Sequence, residues 1–171
     1  MKNILVQGSK NKEALYHIQV SQNGGTLFKG SFEEELPGMP FFQEIPENID
    51  VVWLLEPNLK TLLRVASIPL IIADITKLPE HDKKKIAGLP IIEGIMIPGS
   101  CRLGTMPPAL FKKGSLGLIS RSKSLAYEAA YETTKSGVGQ SLVLVVGEGS
   151  LEHFRDILKK DLFTKEIREI V

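Results

Sequence analysis

The residues of this chain best suited to chemistry sit in Gly114-Ser-Leu-Gly-Leu-Ile-Ser-Arg-Ser-Lys-Ser-Leu-Ala-Tyr-Glu128, where a strand-like run passes directly into a helix-like one. The first turn of that helix is crowded with hydroxyls. Free backbone N–H groups and the positive end of the macrodipole converge at a helix start, which therefore favours anions. Ser120, Ser122 and Ser124 supply capping oxygens, and Lys123 adds a cation, so Ser122, Lys123 and Ser124 are candidate phosphate-binding residues. A second polar turn, Gly8-Ser-Lys-Asn-Lys12, follows the first strand-like run. By itself it reads as a polar strand-to-helix connection with solvated lysines, in which Asn11 tolerates a left-handed backbone. His17, His81 and His153 show no metal-ligand spacing, and no metal is expected. The single cysteine, Cys101, excludes an internal disulfide and reads as a small packing residue.

Alternating apolar and helix-period segments must position these groups. Lys2–Gln7 reads as a strand, Glu13–Val20 as a helix stopped by Gly24-Gly25, and Thr26–Phe28 as a short strand. Val51–Leu55 is a strongly apolar strand. Pro57 then suits a helix first turn, with Leu59, Leu62, Leu63 and Ala66 at helical spacing. Leu70–Ala73 and Pro90–Ile97 repeat the strand pattern around a helix at Pro79–Ala87 that Gly88 stops. Residues 98–113, rich in Gly and Pro, read as a linker. A second series follows: strand Leu116–Ser120, helix Ser122–Ser136, strand Leu142–Val146, helix Ser150–Lys160 and a final strand at Ile167–Val171. The second series has few helices for its apolar strands, which predicts association through residues 115–171.

Ser120-Arg-Ser-Lys-Ser-Leu-Ala-Tyr-Glu128 resembles the Ser-Arg-Ser-Gly-Thr-Leu-Thr-Tyr-Glu segment of the alpha subunit of succinyl-CoA synthetase. The likeness continues through Gly137-Val-Gly-Gln-Ser141 and Phe154-Arg-Asp-Ile-Leu158, and extends as pattern over nearly the whole chain. It implies an α/β fold: a Rossmann-like CoA-binding-type parallel sheet over residues 1–104, then a truncated flavodoxin-like ligase lobe over 105–171. The family's Gly-Phe-Thr-Gly-x-x-Gly loop corresponds to Gly8-Ser-Lys-Asn-Lys-Glu-Ala14, where only the first glycine is kept. Its strand ending Val-Pro-Ala-Pro corresponds to the one ending Leu54-Leu-Glu-Pro57, and its Ile-Thr-Glu-Gly to Ile75-Thr-Lys77. The contacts to coenzyme A or an acyl-CoA implied by the resemblance fall on Gly8, Ser9, Lys10, Asn11, Lys12, Pro57, Ile75 and Thr76.

The same resemblance implies no catalytic residue in these 171 residues, because the family's phosphohistidine would lie beyond Val171. The expected function is that of a non-catalytic binding or subunit-interaction protein, retaining coenzyme A, an acyl-CoA or a nucleotide. It would act as a homo-oligomer or with a heteromeric partner subunit. The alternative is a component of a split acyl-CoA ligase, completed by separate chains that carry the histidine segment and an ATP-grasp subunit. A flavin or nicotinamide protein is disfavoured, since no Gly-x-Gly-x-x-Gly with a ribose-binding acid is present. With 43% apolar residues, 24% charged and a net charge of +1, nothing in the composition calls for nucleic acid or an anionic membrane. Apolar runs such as Leu142–Val146 are too short to span a bilayer, and a cytoplasmic location is expected.

Overall fold

The structure, a computed structural model, describes residues 2–148 and the backbone pairing of Glu169–Ile170. The first sheet is built from β1 (Ile4–Gln7), β2 (Phe28–Phe32), β3 (Phe41–Phe42), β4 (Val51–Leu54), β5 (Ile71–Ala73) and β6 (Ile91–Ile92). All its pairings are parallel, and the spatial order is β3-β2-β1-β4-β5-β6. That is the order of a doubly wound Rossmann-type sheet, whose switch point falls between β1 and β4. Helices α1 (Lys12–Asn23), α2 (Leu59–Arg64) and α3 (Glu80–Ile86) lie between its strands in the chain.

The second sheet contains β7 (Gly94–Ile97), β8 (Cys101–Leu103), β9 (Lys113–Ser120), β10 (Gln140–Val145) and β11 (Glu169–Ile170), with α4 (Lys123–Lys135) joining β9 to β10. Its order is β11-β9-β10-β7-β8. β9 runs parallel to β10 and β11, while β7 runs antiparallel to β10 and β8.

Strand alternation explains how the sheets stack. Val6, Trp53 and Ile72 on one face of the first sheet share a cluster with Ile95, Leu103, Leu142 and Leu144 of the second; Ile18 of α1 packs into the same cluster. The intervening residues Leu5, Val52 and Leu54 turn the other way, against Leu62 and Val65 at α2 and Ile86 of α3. On the far side of the second sheet, Val143 and Val145 pack on Ala126 and Ala130 of α4. Each sheet is thus buried on both faces, as near-continuous apolar strands require.

Several expectations are corrected. Pro90–Ile97 is not one strand: it divides at Glu93 into β6 of the first sheet and β7 of the second. The stretch expected to be a linker holds β8 and a 3₁₀ turn at Pro108–Leu110. Consequently β7 and β8, on the 1–104 side of the expected domain division, belong to the second sheet. The second strand lies at Phe28–Phe32, later than the expected Thr26–Phe28, and β3 was not anticipated. Pro57 precedes α2 rather than opening it, because the Asn58 side chain caps that helix by accepting from Thr61 N at 3.0 Å. The expected helix at Ser150–Lys160 lies outside the described residues. Among the described residues no helix is long and apolar enough to cross a membrane.

Candidate functional site

Parallel strands end in loops on one side of their sheet, and the space outside those ends at a switch point is the natural place for a ligand. Here the loops after β1, β4 and β5 frame a cavity of about 550 Å³. Glu13 and His17 of α1, the Leu55-Glu-Pro57 turn, Asp74, Lys77, Leu78 and Thr105 line it. An adjoining cavity of about 230 Å³ shares Glu13, His17, Leu55, Glu56, Lys77 and Thr105 and reaches Asn11 and Ala14.

The Gly8–Lys12 turn is tightly built. A Cβ at Gly8 would lie 2.8 Å from Leu55 Cδ1, so glycine allows β1 to end close against the β4 turn. Asn11 caps α1, its Oδ1 accepting from Ala14 N at 2.8 Å. Its Nδ2 donates to Ser9 Oγ at 2.6 Å and to Glu56 Oε1 at 2.7 Å, and the Ser9 hydroxyl donates to the same carboxylate oxygen. The Ser9 and Asn11 side chains therefore converge on Glu56. Lys10 and Lys12 are exposed and line neither cavity.

The remaining candidates scatter. Pro57 lines the larger cavity, but Ile75 is buried and faces a different cavity, of about 310 Å³, beside α3. Thr76 is exposed and turns inward: its N–H and hydroxyl both donate to Asp74 Oδ1, at 3.1 and 2.5 Å. At the second anion position, Ser122 caps α4 by accepting from Leu125 N at 3.4 Å, and Ser122 N donates to Ser120 Oγ at 3.0 Å. Ser124 is exposed. The Lys123 ammonium is already engaged, paired with Asp74 Oδ2 and with Glu93 Oε2 at 3.4 Å.

This three-residue ion cluster joins the two sheets, since Asp74 follows β5, Glu93 separates β6 from β7 and Lys123 opens α4. Glu93 is only 8% exposed. Burial pushes its carboxyl above the ordinary range against the pull of Lys123, and the Asp74 charge adds to the rise. Burial would raise Asp74 too, but the hydrogen bonds from Lys123 and Thr76 hold it below its ordinary value. For Lys123, burial is outweighed by Asp74 and Glu93, which hold the ammonium above its ordinary range.

Behind the crevice, Arg102 is buried and contacts no carboxylate among the described residues. Its Nε donates to Met106 O at 2.6 Å, and Nη1 donates to His17 O and Ser21 Oγ at 3.0 and 2.9 Å. Nη2 lies 3.2 Å from His17 Nδ1. Because a guanidinium only donates, Nδ1 must accept, which fixes His17 as the neutral tautomer with its proton on Nε2. Burial, reinforced by the Arg102 charge, lowers the His17 pKa and agrees with that assignment.

Sequence reasoning missed Glu56, Asp74, Glu93 and Arg102 as members of the site. A signal existed for two of them. Glu93 and Arg102 are lone charges within apolar runs, Ile91-Ile-Glu-Gly-Ile95 and Cys101-Arg-Leu103, and a charge in such a run must find partners.

No family model matches the chain. It is 29% identical over 195 residues to succinate–CoA ligase [ADP-forming] subunit alpha 2 of Archaeoglobus fulgidus, covering 98% of this chain and 68% of that protein. With the corresponding alpha subunit of Aquifex aeolicus the identity is also 29%, over 95% of this chain and 62% of that one. The chain is alpha-subunit-like. Among solved structures, one from Pyrococcus horikoshii OT3 superimposes with a TM-score of 0.70 at 23% identity over 99% of this chain and 46% of that one. An ATP citrate lyase from Methanothrix soehngenii, in complex with citrate and coenzyme A, gives 0.65 at 17% identity, with 35% of its chain covered. The structural likenesses establish an α/β fold with a parallel sheet. The chain spans 55% to 68% of the length of the alpha subunits from Archaeoglobus, Aquifex and Trichomonas vaginalis.

Proposed function

We propose that this chain is a cytoplasmic CoA-ligase-like module that binds coenzyme A or an acyl-CoA in the crevice outside β1, β4 and β5 and is not catalytic by itself. The observation that carries the binding reading is the placement of the 550 Å³ cavity at the switch point of the first sheet. Beside the charged Glu13, Glu56, Asp74 and Lys77, its lining offers apolar Leu55, Pro57 and Leu78 and the polar groups of His17 and Thr105 to an amide-bearing arm.

The non-catalytic reading is supported by how the candidate groups are spent. Lys123 at the start of α4 is paired with two carboxylates, His17 Nδ1 faces Arg102, and His81 is exposed on α3. None of them offers a free nucleophile to the crevice. Titration calorimetry with coenzyme A tests binding: a weak, saturable heat supports the reading, and no heat would refute it. Incubation with labelled ATP or GTP tests the rest, and acid-labile phosphate on a histidine would refute it.

A second reading rests on the names of the curated relatives, each called a subunit alpha. On that reading the chain is one component of a split acyl-CoA ligase and works with a partner subunit. Native mass spectrometry of the freshly purified protein, reporting bound ligand and subunit count together, separates a lone monomer from a homo-oligomer or heteromer.

A further inference from the structure

Glu56 engages the turn that precedes α1. It follows β4 at the crevice and lines both adjoining cavities. Its Oε1 accepts from Ser9 Oγ at 2.5 Å and from Asn11 Nδ2 at 2.7 Å, the two uncharged side-chain donors of the Gly8–Lys12 turn beside the start of α1. The positive end of that helix dipole also favours a negative charge nearby, so one internal carboxylate engages the Ser9 and Asn11 donors in a setting that suits an anion.

The balance of charge around the crevice points the same way. Glu13, Glu56 and Asp74 line the larger cavity against one lysine, Lys77. Asp74 is neutralised by Lys123, which leaves Glu13 and Glu56 facing Lys77. A diphosphate entering here would meet two carboxylates, and the Ser9 and Asn11 donors are already engaged by one of them. An uncharged amide or hydroxyl ligand meets no such opposition, and the neutral His17 ring carries its one N–H on Nε2, free of the Arg102 contact.

We propose that Glu56 is the specificity-determining residue of this crevice: its carboxylate engages the Ser9 and Asn11 donors of the Gly8–Lys12 turn, so that the protein recognises coenzyme A through its pantetheine arm and gains little from the diphosphate. The inference rests on the coenzyme A reading above and refines it. Glu56 acts as an internal competitor, which a phosphate-bearing ligand must displace and a phosphate-free one need not disturb.

The test compares two ligands on three proteins. Wild type, Glu56→Gln and Glu56→Ala, each labelled with nitrogen-15, are titrated with pantetheine and with coenzyme A while the amide signals of the Gly8–Ala14 segment are followed. Glu56 is exposed, so both variants retain the fold, and Glu56→Gln removes the charge while keeping an acceptor for Ser9 and Asn11. In wild type the two dissociation constants should agree within about threefold, and both variants should tighten coenzyme A by about tenfold, less at high salt. Pantetheine affinity should change by less than about twofold, since it carries no charge to be repelled. Coenzyme A binding wild type far more tightly than pantetheine, with no gain in either variant, would overturn the role of Glu56 and leave the binding reading standing. No response to either ligand in any of the three proteins would overturn the binding reading and the role of Glu56 with it.

Discussion

Replacing Lys123 with methionine should expose how much of the contact between the two sheets depends on one ammonium group. Lys123 pairs with Asp74 after β5 and with Glu93 between β6 and β7. At the observed 3.4 Å, the gross attraction to Glu93 is about 5 kcal/mol for an effective dielectric constant of about 20. Most of this offsets the cost of taking both groups out of water. Removing one partner leaves the desolvated Glu93 carboxylate uncompensated, which costs about 3–5 kcal/mol for a fully buried pair. The Lys123 side chain is 26% exposed and water can reach the site, so a loss of about 1–3 kcal/mol at neutral pH is expected.

The pH dependence distinguishes this cause from lost packing. Glu93 already titrates above its ordinary value, chiefly through burial, and loss of Lys123 raises it further. A carboxylate with a raised folded-state pKa binds more protons in the folded than in the unfolded state, so stability falls as pH rises from the unfolded pKa through the folded one. The Lys123→Met variant should therefore be weakest at neutral pH and regain stability as the pH drops through the raised Glu93 value towards the ordinary carboxylate range. Adding Glu93→Gln should restore most of the loss and flatten the profile. Urea denaturation of the single and double variants across that range provides the measurement. A deficit that stays constant with pH, or one that Glu93→Gln does not relieve, would refute the reasoning.

Three other substitutions probe the frame. Leu144→Ala, in the cluster shared by both sheets, should cost about 2–5 kcal/mol, and Trp53 fluorescence and far-ultraviolet circular dichroism should report the same shifted midpoint. Arg102→Met should strip four acceptors, Met106 O, His17 O, His17 Nδ1 and Ser21 Oγ, of their Arg102 donor and cost about 2–4 kcal/mol by the same denaturation assay. Gly104→Ala should destabilise by at least about 2 kcal/mol, because the backbone there has φ of +94° and a Cβ would fall 2.6 Å from Glu93 O; an unchanged melting temperature would contradict the geometry.

The parts of the fold that could be read in the sequence are those where local pattern and tertiary environment agree. The apolar runs at Val51–Leu54 and Gln140–Val145 are buried throughout, and a parallel strand covered on both faces leaves that signature. The helix start at Ser122 was legible because capping is a matter of one side chain and its own next turn; Asn11, read as tolerant of a left-handed backbone, is instead an extended cap with φ of −70°. The division of Pro90–Ile97 was not. Ile91-Ile92 and Gly94–Ile97 are equally apolar, and only the partners of each strand, β5 for one and β10 for the other, assign them to different sheets. Local pattern carries no record of such long-range pairing. The Gly- and Pro-rich stretch after Ile97 hid β8 for the same reason: Cys101-Arg-Leu103 becomes a strand by pairing with β7, with Thr26 Oγ1 accepting from Arg102 N at 2.8 Å.

The site divides along the same line. That anions are favoured at the starts of α1 and α4 follows from helix geometry, and the sequence showed both positions. Which carboxylate engages each depends on residues far away in the chain. Glu56 reaches the first across 45 residues from Asn11, while Asp74 reaches Lys123 at the second across 49. The polar turns could therefore be located from one segment at a time, but their state could not. In both places a carboxylate of the chain itself engages a side chain of the polar turn, Glu56 the Ser9 and Asn11 groups and Asp74 the Lys123 ammonium, and this makes the charge of Glu56 and Asp74, rather than the number of loop glycines, the first variable to change in studying what the crevice binds.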